Sequence, residues 1–201
     1  MSAEITTETP AETTAYPVRF EVPYPEDCGR LHILIRWVLA IPQLLIASIL
    51  QDLAQLLAFF ALWTILFTRN YPESLFRLVV GATRWQYNVT AYVLMHDGPY
   101  PPFSFDDGVY PHLSYDVIRQ DEYSRWLPLV KWFLLIPHYI VVSLLGVAAL
   151  FVWLYAAIVV VFTGQFPRGP FNFLVGVGRW AARVSAYLLL QTDRYPPFSM
   201  S

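Results

Sequence analysis

Charge, cysteine and glycine-rich loops are scarce in this chain. Charged residues make up 14% of its 201 residues, where soluble domains carry roughly a quarter, and the net charge is only −2. That balance offers no basic surface to a nucleic acid. Cys28 is the sole cysteine, which excludes an intrachain disulfide and any multi-cysteine metal or iron–sulfur site. With no phosphate-cradling glycine loop, nucleophile elbow or zinc-protease helix, the sequence predicts neither cofactor nor metal and reads as non-catalytic. Residues 1–15, rich in Thr and Glu, lack the basic start and apolar core of a signal peptide and read as a disordered tail.

Apolar residues are abundant instead, at 56% of the chain. Four runs, Ile33 to Leu50, Leu53 to Phe67, Leu127 to Leu145 and Val147 to Phe162, approach the roughly 17–25 residues that a helix needs to cross a hydrocarbon core. They predict an all-α membrane protein with two transmembrane hairpins, about 33–67 and 127–162, turning at Gln51-Asp52 and around Gly146.

The hairpins belong to a tandem duplication. Arg84-Trp85, Ala91-Tyr92 and Tyr100-Pro101-Pro102-Phe103-Ser104 return as Arg179-Trp180, Ala186-Tyr187 and Tyr195-Pro196-Pro197-Phe198-Ser199, at one constant offset. Ile41-Pro42 matches Ile136-Pro137, Phe67-Thr68 matches Phe162-Thr163, Pro72 matches Pro167, and Gly81 matches Gly176. The repeats span 16–109 and 110–201, too long for solenoid units, so the chain is a two-fold duplicated domain.

After each hairpin the pattern changes, at about 74–95 and 170–190. Arg77, Gly81, Arg84 and Asn88 share one stripe of a helical wheel, matched by Asn172, Gly176, Arg179 and Arg183, while Val79, Ala82, Val89 and Val93 take much of the other side. This is amphipathic-helix periodicity. It predicts helices in the cytoplasmic interface, with Arg77, Arg84, Arg179 and Arg183 toward anionic lipid headgroups or a partner's acidic surface and Trp85 and Trp180 at headgroup depth. The alternative is a third spanning helix in each repeat, its arginines facing the bundle interior.

Orientation follows from the 13 basic residues, all outside the two hairpin turns. The positive-inside rule puts both termini in the cytoplasm. The same charge pattern in both repeats predicts parallel repeats about an axis along the membrane normal.

Pro42 and Pro137 interrupt the first arm of each hairpin and predict a kink, because neither can donate to the carbonyl four residues back. The Tyr-Pro-Pro-Phe segments (Tyr100, Pro101, Pro102, Phe103; Tyr195, Pro196, Pro197, Phe198) read as aromatic–proline closures that stop the amphipathic helices; a proline-recognition partner is the alternative. His96-Asp97, His138, Cys28 with His32, and the linker acids Asp106, Asp107, Asp116, Asp121 and Glu122 are the remaining polar candidates. They read as packed or solvated side chains, since no converging ligand set is visible.

Arg-Trp or Lys-Trp and Ile-Pro in the first arms, Phe-Thr before Tyr/Phe-Pro, Gly-x-x-Arg-Trp, and the terminal Tyr-Pro-Pro-Phe together resemble an uncharacterised bacterial membrane-protein family, a domain of unknown function present here twice. The resemblance implies a bacterial inner-membrane setting and nothing sharper about activity. The expected function is a non-catalytic accessory or scaffold subunit that contacts lipids, other membrane subunits or itself. A small oligomeric transporter is the alternative, drawing on Gln43, Ser48, Gln55, Thr64, His138 and Ser143 as path-lining groups. A lipid-modifying enzyme is a weaker one.

Overall fold

The computed structural model describes residues 16–25, 28–29, 32–94, 100–106, 108–110 and 113–201, without the side chains of 32–34. The 1–15 tail, Arg30, His96-Asp97, Asp107 and Pro111 lie outside the described residues, as does the side chain of His32. Among the described residues the order is β1 (Val18–Glu21), α1 (His32–Thr68), α2 (Glu73–Leu94), β2 (Ser114–Val117), α3 (Leu127–Leu134), α4 (Ile136–Thr163) and α5 (Arg168–Leu188).

The two hairpins fold with different arms from those predicted. α1 is one helix of 37 residues that runs straight through Gln51-Asp52, and α4 runs through Gly146 for 28 residues. Neither expected turn forms. Gln51 and Asp52 stand between strong helix formers, and a single interior glycine costs only about 1 kcal/mol against alanine. Meanwhile the small side chains Ala47, Ala54, Ala58 and Ala61 keep one buried stripe on α1 continuous across the expected break. Two helices, over Ile35–Thr68 and Ile136–Thr163, are long and apolar enough to cross a membrane.

The actual hairpins join α1 to α2 and α4 to α5. Their turns are built alike: Arg69 (φ 59°) and Gly164 (φ 77°) take the left-handed conformation that closes many helix C-termini. The Thr68 and Thr163 hydroxyls accept from the backbone N–H groups of Asn70 and Gln165. Pro72 and Pro167 then lend their carbonyls to the N–H groups of Phe76 and Phe171, in the first turns of α2 and α5. The Phe-Thr and Pro repeats are therefore turn signals.

Pro137 breaks the second repeat as expected: Leu135 alone separates α3 from α4. In the first repeat the helix continues through Pro42.

The all-α expectation omits a two-stranded antiparallel sheet, in which β1 pairs with β2 and Phe20 lies opposite Tyr115. Both strands alternate: Val18, Phe20, Tyr115 and Val117 are buried, while Arg19, Glu21 and Ser114 point outward. Such four-residue segments are too short to stand out beside the long apolar runs. The strands rest on α2 and α5.

Three layers result. α2 packs its Val79, Ala82, Trp85 and Val89 face against Ala47, Ala54 and Ala58 of α1. Its other face, with Gly81 and Arg84, meets residues 105 and 115. The third layer comprises the sheet with these segments. α1 and α4 form the opposite side, exposing Leu45, Ile49, Leu56, Phe60, Leu144, Val147 and Phe151 among many apolar side chains.

Candidate functional site: paired arginine clasps beneath the sheet

The motif residues converge on two clasps, one per repeat. The Arg84 side chain is only 8% exposed. Its Nε donates to the Tyr115 carbonyl at 2.8 Å and its Nη1 to the Phe105 carbonyl at 3.0 Å, while Nη2 meets the Asp116 carboxylate at 3.2 Å. Arg179 repeats the arrangement: Nε donates to the Phe20 carbonyl at 3.3 Å and Nη1 to the Met200 carbonyl at 3.2 Å. Each arginine thus grips the strand that opens the other repeat and the tail that ends its own. A planar guanidinium with several fixed donors suits this better than an ammonium.

Arg183 also turns onto its own chain, donating to the carbonyls of Ser199, at 3.4 Å, and Ser201. Burial, then the nearby Arg179, pulls its pKa below the usual arginine value. Its counterpart is Asn88, which donates to the Arg84 carbonyl at 2.9 Å. Arg84 and Arg183 are buried rather than turned toward headgroups, because the strand and tail carbonyls beside them need donors. Of the arginines expected at a lipid surface, Arg77 is exposed, in an i,i+4 pair with Glu73.

Trp85 and Trp180 are buried too. Trp85 Nε1 donates to Gln43 Oε1 at 2.7 Å, and Gln43 Nε2 donates to the Pro101 carbonyl at 2.7 Å. Trp180 Nε1 donates to His138 Nδ1 at 3.0 Å. These acceptors occupy equivalent positions, so an amide and an imidazole do one task. The indole needs such an acceptor when buried; that need is the signal by which sequence reasoning could have paired Gln43 and His138 with the tryptophans.

The Tyr-Pro-Pro-Phe segments close over these pairs. Phe103 meets Trp85 edge-on at 5.5 Å, and Phe198 meets Trp180 at 5.7 Å while stacking on His138 at 3.9 Å. Tyr100 and Tyr195 each pack at 5.8 Å on Tyr92 and Tyr187. Pro101 and Pro196 are buried beside the more exposed Pro102 and Pro197. Gly81 and Gly176 allow the closest approach: a Cβ there would lie 2.9 Å from Phe105 Cβ and 3.0 Å from Met200 Cβ. Tyr187 and Tyr92 also take a cation each. Lys131 lies over the Tyr187 ring at 4.6 Å and Arg36 over Tyr92 at 5.0 Å.

Lys131, of the Lys-Trp pair in the first arm of the second repeat, joins this packing. It is 1% exposed, 2.8 Å from the Asp193 carboxylate, and donates to the Thr192 carbonyl at 2.7 Å. Burial holds its pKa below the usual lysine value, and Asp193 offsets part of that shift. Among the described residues no three His, Cys, Asp or Glu side chains converge on a metal position. Asp106 lies beside Ser104 at 2.9 Å, Asp116 holds Arg84, and Glu122 faces Arg69 at 3.5 Å. In both clasps, donors and rings hold strands and tails onto two helical hairpins.

These clasps involve the repeated motifs themselves. The family model for the domain of unknown function DUF4389 matches residues 30–104 and again 126–200. The chain belongs to the DUF4389 family. Two DUF4389 units therefore lie in tandem, and each match includes its Ile-Pro, Arg-Trp and Tyr-Pro-Pro-Phe elements. The strands that the arginines grip, Val18–Glu21 and Ser114–Val117, lie outside the matched spans. No curated protein and no solved structure matches the chain.

Proposed function

We propose that this DUF4389 protein is a non-catalytic integral membrane protein, an accessory or scaffold subunit of a complex in the bacterial cytoplasmic membrane. Its termini lie on the cytoplasmic side, and its repeats are related by a two-fold axis along the membrane normal. One observation carries the reading: α1 and α4 expose a broad apolar surface, interrupted chiefly at Ser48, Asp52, Gln55 and Ser143, larger in kind than a soluble monomer exposes. The reciprocal clasps, Arg84 on Tyr115 and Arg179 on Phe20, support the axis, since an isologous contact is the mark of two-fold symmetry.

A transporter needs polar groups along a path. Here Gln43 and His138 are engaged by tryptophans, while Ser48 and Thr64 donate to carbonyls of their own helix. That favours the scaffold reading. Native purification in mild detergent followed by mass spectrometry tests it. A second membrane protein recovered at fixed stoichiometry is the expected result. Recovery of this chain alone, together with solute flux in proteoliposomes that responds to changes at Ser48 or Thr64, would overturn it.

A further inference from the structure

We infer that α1 and the α3–α4 rod lie side by side within one leaflet, parallel to the membrane plane, their exposed apolar faces covered by that leaflet's hydrocarbon. α2, α5 and the sheet are stacked above them toward headgroups and water. This rests on the membrane reading above and gives it a geometry: the protein is seated in the bilayer without crossing it.

Length is the first argument. The 34-residue apolar stretch of α1 measures about 51 Å at about 1.5 Å per residue. To fit a hydrocarbon core of roughly 30 Å it would tilt by about 54°, outside the roughly 0–40° that spanning helices adopt.

The sheet is the second. Ala47, in the middle of α1, packs on Trp85 and Val89, while Arg84 beside them holds Tyr115 of β2. The sheet therefore sits level with the middle of α1. If α1 crossed the bilayer, the outward Arg19 and Glu21 side chains, 66% and 60% exposed, would lie at the hydrocarbon centre with open strand edges. Neither is stable there.

The third is direction. Trp37 of α1 touches Trp153 of α4 at 5.6 Å, and their counterparts Trp132 and Ala58 line one cavity. Early positions of each rod thus meet late positions of the other, so the rods run antiparallel. Antiparallel spanning rods would divide the basic residues between both faces of the membrane. Antiparallel in-plane rods keep them on one.

The test uses the full chain with Cys28→Ser, reconstituted in vesicles of phosphatidylcholine and phosphatidylglycerol. Nitroxides are placed singly at Val38, Leu45, Ile49, Leu56, Phe60 and Phe67, which share one exposed face. Oxygen and nickel-chelate accessibilities give the depth of each. The expected profile is flat, at about 5–10 Å throughout. A profile that peaks near Leu53 at about 15 Å and returns to the surface at both ends is a spanning helix and overturns the inference alone. If no position gains oxygen access and the protein is dimeric, a second copy covers the face, and the membrane reading falls with the inference. A parallel series at Ile140, Val147, Leu154 and Ile158 decides the question should the α1 variants misfold.

Discussion

Phe20 and Tyr115 lie opposite each other in the two-stranded sheet, and they are also the positions of the two repeats related by the same offset as Arg84 and Arg179. The carbonyl of each accepts the Nε–H of the other repeat's arginine. The sheet therefore joins the two DUF4389 units at their shared centre, and the arginines lock the junction.

Arg84→Met should destabilise the fold by about 1.5–3 kcal/mol, the usual worth of hydrogen bonds to a charged group. It leaves the carbonyls of Tyr115 and Phe105 without their donor. Arg84→Lys should recover little, since one ammonium cannot reach two carbonyls and a carboxylate. Arg179→Met should cost less, because its bonds are longer, at 3.3 and 3.2 Å. Thermal unfolding in one detergent, followed by circular dichroism, ranks the three. An equal loss from Arg84→Met and Arg179→Met would contradict the ranking.

Glycines give opposite outcomes at two places. Gly81→Ala forces a methyl to within 2.9 Å of Phe105 Cβ, so it should cost about 1–3 kcal/mol and speed proteolysis within residues 100–106. Gly146→Ala meets nothing within 4 Å and should stabilise α4 by about 0.4–1 kcal/mol. A loss of stability at Gly146→Ala would mean that the helix turns there after all.

Gln43→Leu should orphan both the buried Trp85 N–H and the Pro101 carbonyl, at about 1–3 kcal/mol for each group left unsatisfied. Gln43→His restores the arrangement of His138 with Trp180 and should recover the Trp85 bond only. Trp fluorescence and unfolding midpoints, compared across the two variants, measure the difference.

The Lys131–Asp193 pair should show the asymmetry of buried charges. Lys131→Met removes the cation from a half-buried carboxylate that keeps only the Ser124 N–H, at 2.6 Å, and should cost about 2–3 kcal/mol, less than the loss of a fully buried partner, while Lys131→Met with Asp193→Asn should recover most of it. The pH dependence has two opposed signs. Because burial lowers the folded pKa of Lys131, the folded state sheds that proton first, and stability should rise as pH climbs from the lowered value toward 10.5. Burial raises Tyr71, Tyr115 and Tyr123 above the ordinary tyrosine value, so their contribution is complete below pH 10 and lost above it. Alkaline titration should show a last portion of the tyrosinate absorbance that appears only together with loss of helix, diminished in a Tyr115→Phe variant. Complete tyrosinate formation well before any unfolding would contradict this.

Part of this is legible in the sequence. The Phe-Thr and Pro repeats carry the local signals of the turns after α1 and α4, because hydroxyl caps and prolines act over three or four residues, although apolar runs alone point to Gln51-Asp52 and Gly146 instead. The Gly81 and Arg84 stripe marks one face of α2 because helical periodicity is local. The two-unit organisation follows from the constant offset between matched residues. Other features depend on contacts that local sequence does not carry. Composition placed a turn at Gln51-Asp52, but α2 packs across that point and keeps α1 helical. Amphipathicity placed Arg84 toward lipid, but carbonyls more than twenty residues away in sequence take its donors.

By itself, then, the amino-acid sequence determined the duplication, the apolar character of 33–67 and 127–162, and the boundaries at Thr68, Pro72, Thr163 and Pro167, all properties of local composition and short-range backbone bonding. Tertiary structure alone decided which helices pair, that β1 and β2 meet at Phe20 and Tyr115, and that Arg84, Arg179, Trp85 and Trp180 bind their own chain. A donor's partner depends on which carbonyl or ring the fold carries to it, and buried donors take the nearest acceptor that excludes water.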